Sequence, residues 1–119
     1  MNNQEYKREC RRQTRLEPFC TDDAYCGMCG ELDWRTLELH HVAGRKHDDA
    51  MVILCSNCHC KVSDDQKDHP AFDPAADPVL ACIGHFLLGL ADMLRVVIVK
   101  LNEFALTLID RSRNEGGMA

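Results

Sequence analysis

Two cysteine pairs, Cys26-Gly-Met-Cys29 and Cys55-Ser-Asn-Cys58, stand twenty-five residues apart. Each pair can place two thiolates on one zinc ion. Two pairs close a tetrahedral four-sulfur site with no open position, so its expected role is structural. Redox exchange is the usual rival for a single CxxC, but two matched pairs bracketing a group of histidines point to metal. Cys10, Cys20, Cys60 and Cys82 are left over as inert thiols, and of these only Cys60, two residues past Cys58, could compete as a ligand. His40, His41 and His59 lie between and beside the pairs. Neutral imidazole is a metal ligand and, with an ordinary pKa near 6.5, a base able to take a proton from water at neutral pH. Adjacent residues on a strand point to opposite faces, so His40 and His41 are expected to share one site only by diverging slightly at a strand end. His59 directly follows a thiolate, so the sulfur site fixes where it points.

These side chains need a frame, and the pattern around them supplies one. TLELHHV (36–42) and MVIL (51–54) read as two short strands joined by the polar turn 43–50, and a helix is expected from Ser56 to about Lys67. Residues 3–16 read as a short, largely polar helix ended by Pro18. HPAFDPAADP (69–78) carries three prolines and reads as a connector, in which Asp77 and Pro78 give an N-cap followed by proline at the first helical position. Beyond it Leu80, Ile83, Leu87, Leu90, Leu94, Val97, Leu101, Phe104 and Leu108 recur at alternating intervals of three and four, a heptad seam. Counted from Pro78 through Arg113, such a helix spans about 54 Å at 1.5 Å per residue. It outruns the small domain beside it, so self-association is expected to cover the seam unless the helix bends at Gly84 or Gly89. The expected division is a basic arm with a helix (1–25), a metal-bearing core (26–68), a linker (69–77) and a long helix (78–115).

The stretch CGMCGELDWRTLELHHVAGRKHDDAMVILCSNCHCKVSD resembles the HNH endonuclease family in its zinc-ribbon-bearing form. That pattern has a CxxC, a strand ending in His-His or Asp-His before an aliphatic residue, a turn, and a second strand running into LCxxCH. The resemblance implies an α+β chain built on a ββα-metal core and metal-dependent hydrolysis of DNA phosphodiesters, leaving a 5'-phosphate and a 3'-hydroxyl. It makes His41 the general base, gives His40 and His59 a catalytic divalent ion, Mg2+ or Mn2+, and leaves Cys26, Cys29, Cys55 and Cys58 to structural zinc. The family's middle asparagine aligns with Ala50, so Asp48 or Asp49 is expected to steady the base-bearing loop. Ser63 stands where many members carry a further ligand, so Asp48, Asp49, Asp64 or water is expected to complete the shell of the ion. A non-catalytic zinc module that scaffolds a nucleic-acid or protein contact is the alternative reading.

Composition bounds the rest. The 119 residues, with eight cysteines and 6% aromatic side chains, exclude a large multidomain enzyme and leave few large rings from which to build a core. The polar, basic start MNNQEYKRECRRQTR has no apolar core of a secretory signal, so a cytoplasmic chain with reduced thiols is expected. The net charge of -5 is uneven: Lys7, Arg8, Arg11, Arg12 and Arg15 against Glu5 and Glu9 give +3 to residues 1–16 and leave -8 for the remainder. That arm suits a DNA backbone or a plain solvated helix face. Arg45 and Lys46 in the turn invite the same two readings. His47 is read as a loop residue with a chance of meeting phosphate or metal, His69 and His85 as structural, and Trp34 as a cover for the zinc core that could also stack on a base. Partners are expected to be DNA and a second copy of the chain. No membrane span is expected, because the uncharged run 79–91 has thirteen residues and spanning takes about 20.

Overall fold

The computed structural model describes residues 1–116. Its elements run α1 (Asn3–Leu16), β1 (Leu37–His41), β2 (Met51–Cys55), α2 (Ser56–Gln66) and α3 (Pro78–Gly116), with short 3-10 turns at Glu17–Phe19 and Trp34–Thr36. The chain is therefore α+β, in the expected order of elements.

The start of α1 is fixed by reciprocal capping. Asn2 Oδ1 accepts the Glu5 N–H, and Glu5 Oε2 accepts the Asn2 N–H, both at 2.8 Å. Two of the arm's arginines serve the fold: Arg12 donates to the Asp22 carbonyl at 3.1 Å and Arg15 to the Leu37 carbonyl at 3.1 Å. Lys7, Arg8 and Arg11 stand exposed.

The two strands pair antiparallel with Leu37 opposite Cys55, His40 opposite Val52 and His41 opposite Met51. Alternation divides β1 into a Glu38/His40 face and a Leu37/Leu39/His41 face. Helix α2 lies over the first, since Ser56, His59 and Gln66 all reach Glu38 or His40. The buried core is small: Leu16, Ala24, Leu37, Leu54 and Val62 with three cysteines, flanked by Phe19, Met28, Trp34, Met93 and Val96. Trp34 thus covers the core, as the first of its two readings has it.

Helix α3 opens on Asp77, whose Oδ1 accepts the N–H groups of Val79 at 2.9 Å and Leu80 at 3.0 Å. It runs unbroken through Gly84 and Gly89. The covered or half-covered positions centre on a stripe of Cys82, His85, Phe86, Gly89, Asp92, Met93 and Val96, with Ala81, Ala91, Val97 and Lys100 at its edges. That stripe is the leucine seam shifted back by one residue, about 100° around the helix. Most of the seam faces outward, from 37% exposure at Leu90 to 70% at Leu80, while Val97 is half-buried. By length and composition α3 is apolar enough to cross a membrane. Midway along it, however, Asp92 is buried against protein, paired with His69 at 2.6 Å and Arg95 at 3.1 Å.

Candidate metal centres

The sulfur cluster is assembled by two backbone devices. The first pair sits on a tight loop in which Cys26 N–H donates to Glu31 O at 3.0 Å, Gly30 N–H to Cys26 O at 2.9 Å and Gly27 N–H to Ile53 O at 2.8 Å. Gly30 takes φ +80°, a conformation that a side chain would strain. The second pair belongs to the start of α2, with Cys55 at its N-cap and Cys58 in its first turn. No side chain caps α2, whose N-terminus begins at the sulfur cluster itself.

The four sulfurs lie within 4.8 Å of one another, and Cys29 Sγ and Cys55 Sγ are 3.6 Å apart. In a tetrahedral site with Zn–S near 2.3 Å, sulfurs are about 3.8 Å apart. The cluster can therefore hold a metal ion such as zinc. Cys60, exposed, stays outside it.

The electrostatics fit a cation. Burial raises the Cys26 thiol, but N–H groups of Cys55, Cys29 and Met28 outweigh it and bring the pKa down to about 6. Burial and the neighbouring thiols push Cys58 above the ordinary thiol range, and burial does the same to Cys29. Four close sulfurs cannot all ionise alone. A divalent ion reverses that preference.

Beside the sulfurs, His40 and His59 meet edge to face with ring centroids 5.1 Å apart. Two imidazoles sharing one ion at about 2.1 Å per nitrogen have centroids roughly 5 Å apart, so the pair has the spacing of co-ligands. His59 Nδ1 is bonded to Glu38 Oε2 at 2.5 Å, and Glu38 also accepts from Ser56 at 3.2 Å. A carboxylate on one ring nitrogen is the usual means of aiming the other at a metal. That hydrogen bond, ahead of burial, holds Glu38 below the usual carboxylate range. His40 is 2% exposed, and burial, with His59 and His41 nearby, lowers its pKa to about 4, leaving a neutral ring.

His41 does not join them. β1 keeps its pairing through His41, so alternation sends this ring to the face opposite His40, where it is half exposed. The slight divergence at the strand end expected from sequence is thus replaced by regular register. Nor do the expected carboxylates complete the shell: among the described residues only the four cysteines form a group of three or more potential ligands. Asp48 instead accepts the Asp49 N–H at 2.8 Å, and Asp64 pairs with Lys67 at 3.6 Å. The strand end at His41 is steadied by Gln66, whose amide donates to the carbonyls of His41 at 2.8 Å and Val42 at 3.1 Å.

Glu38 and Gln66 are functional candidates that the motif did not single out. The signal for Glu38 was present in the alternation of LELHH, which places it on the face of His40. Gln66 had none. His47 stacks on His85, and His69 is bonded to Asp92, so all three of these histidines serve the contact between the turn, the linker and α3. Arg45 and Lys46 are exposed in that turn. Searches with protein-family models, against curated proteins and against solved structures find no match for the chain.

Proposed function

We propose that the protein is a small metal-dependent DNA endonuclease of the HNH type, working in the cytoplasm. The observation that carries the reading is the His40–His59 pair at 5.1 Å, braced by Glu38 and anchored to the sulfur cluster through Cys58. His40 and His59 would hold Mg2+ or Mn2+, which supplies charge stabilisation at the scissile phosphate and leaving oxygen. His41, half exposed at the strand end with its carbonyl held by Gln66, takes the proton from the attacking water. Arg45, Lys46 and the exposed Lys7, Arg8 and Arg11 hold the DNA backbone, with Arg12 and Arg15 adding positive charge while they brace the fold.

A second reading, a zinc module without catalysis, is favoured by one observation: His41 belongs to the other face of β1, and the pair lacks a third protein ligand. Supercoiled plasmid separates the two. In Mg2+ or Mn2+ the native chain is expected to nick or linearise it, and His41→Ala to cut about 10²- to 10⁴-fold more slowly. Equal inactivity of both proteins in every divalent metal, with zinc retained, would leave the scaffold.

We further propose that the leucine seam of α3 pairs with a second copy of the chain. A run of seam residues with heptad spacing, exposed at every position but Val97, is what a two-stranded coiled coil buries, and a patch of that length is rare on a monomer. Leu87→Lys with Leu94→Lys removes two seam positions that no part of the same chain covers. Sedimentation is expected to show a dimer for the native protein and a folded monomer for the double variant. A native monomer, or recovery only with detergent, would reject this pairing.

A further inference from the structure

Outside both centres, the β1–β2 turn, the linker after α2 and α3 border an open, solvent-facing cavity of about 390 Å³, within the roughly 300–1,000 Å³ of small-ligand pockets. Three histidines line it. His47 and His85 are stacked, with centroids 3.5 Å apart and planes 13° from parallel, while His69 lies 6.4 Å from His85 with its Nε2 on Asp92. Stacking at that distance is not chelation, which needs splayed rings roughly 5 Å apart. Among the described residues these rings form no ligand group with Asp92.

What the cavity offers is an aromatic wall with cations at its rim. Phe72 is 49% exposed although the linker holds it 5.6 Å from the His47 ring and 6.0 Å from Lys46 Nζ. Neither Arg45 nor Lys46 has an ion-pair partner among the described residues. The carboxylate buried in this region, Asp92, is already matched by His69 and Arg95. Burial, with His47 and His69 close by, lowers the pKa of His85, so this ring stays a neutral hydrogen-bonding group. An exposed ring beside unpaired cations is the arrangement that stacks a base while holding its phosphate.

We propose that this cavity binds a single nucleotide, its base against Phe72 and its phosphate between Arg45 and Lys46. Gln66 borders the cavity and also holds the His41 carbonyl, so the bound nucleotide lies next to the strand end that carries the proposed base. The inference rests on the nuclease reading for the source of that nucleotide, a DNA strand. Its affinity is measurable without any cleavage.

The test titrates the zinc-loaded full chain with 5'-dAMP, deoxyadenosine and inorganic phosphate, reading amide and imidazole NMR shifts. Saturable dAMP binding is expected, with shifts centred on His47, Phe72 and His85, at least tenfold tighter than nucleoside or phosphate alone. Phe72→Ala, and separately Arg45→Ala with Lys46→Ala, should each weaken it about tenfold. All three residues are exposed, so the fold is not at stake. Binding retained in His41→Ala supports a pocket independent of catalysis, and a chain that binds dAMP but cuts nothing upholds the pocket while rejecting its DNA source. Binding unchanged in both sets of variants, no saturation at millimolar dAMP, or the same shifts produced by added Zn2+ alone would overturn it.

Discussion

Removing metal from the four-sulfur cluster, by chelation or by Cys58→Ala, is expected to unfold the 26–66 core rather than merely loosen it. The reason is the small size of what remains. Among the described residues the main buried cluster has five aliphatic side chains besides its cysteines, and the sheet has two strands, below what is stable alone in water. Structural zinc contributes apparent free energies of about 10–16 kcal/mol in zinc-finger peptides, more than a domain of this size has to spare. Cys58 is 2% exposed and belongs to both the cluster and the core, so its loss removes a ligand and leaves a hole. The check is a titration with a strong chelator followed by circular dichroism and metal analysis. One zinc per chain should leave together with the cooperative melt, and added zinc should restore both for the native protein but not for the variant. A chain that keeps its melt after the metal has gone would show that the sulfurs are only packed thiols.

How far the sequence carried this picture depends on the range over which each signal acts. The cysteine spacing, the alternation of TLELHHV and the Asp77-Pro78 start are local patterns, and each lands within a residue or so: β1 at Leu37–His41, β2 at Met51–Cys55, α3 from Pro78. Spacing alone also identified the four sulfurs that gather. What failed to show was contact between distant segments. Asp48 accepts the Asp49 N–H within the turn, and the strand end at His41 is held instead by Gln66, twenty-five residues away, through a side-chain amide with no motif. The meeting of His40 with His59 is an expectation of the family resemblance rather than of the spacing alone. The departure of His41 is a matter of whether pairing continues one residue further, which apolar periodicity does not encode. The three outlying histidines are read singly in the sequence, His47 as a loop residue and His69 and His85 as structural, because nothing there says that the turn, the linker and α3 close on one another.

The long helix shows the same division and yields the sharpest structural test. Leucine periodicity is strongest along the seam, yet the chain docks α3 through the weaker neighbouring stripe, with a close backbone approach at Gly89. A Cβ there would lie 1.7 Å from the Val42 carbonyl oxygen and 2.7 Å from its carbon, both backbone atoms that cannot swing aside. Gly84, one and a half turns earlier on the same helix, has nothing within 4 Å of such an atom. Gly84→Ala should therefore stabilise the protein by roughly 0.5–1 kcal/mol through helix propensity. Gly89→Ala has the same propensity gain and is nevertheless expected to destabilise the docked state by about 3 kcal/mol or more, because helix and strand end must move apart. The displacement would also break the adjacent contacts, Asp92 with His69 and His85 with His47, so Asp92 would be left short of its buried partner. Hydrogen exchange localises the outcome. In the Gly89→Ala protein, amides of the α2–α3 linker and the β1–β2 turn should lose protection while those of the sulfur-bound loop keep theirs. Equal stability of the two alanine variants would mean that α3 does not rest on the core where the geometry puts it, and the cavity proposed to take a nucleotide would lose its third wall.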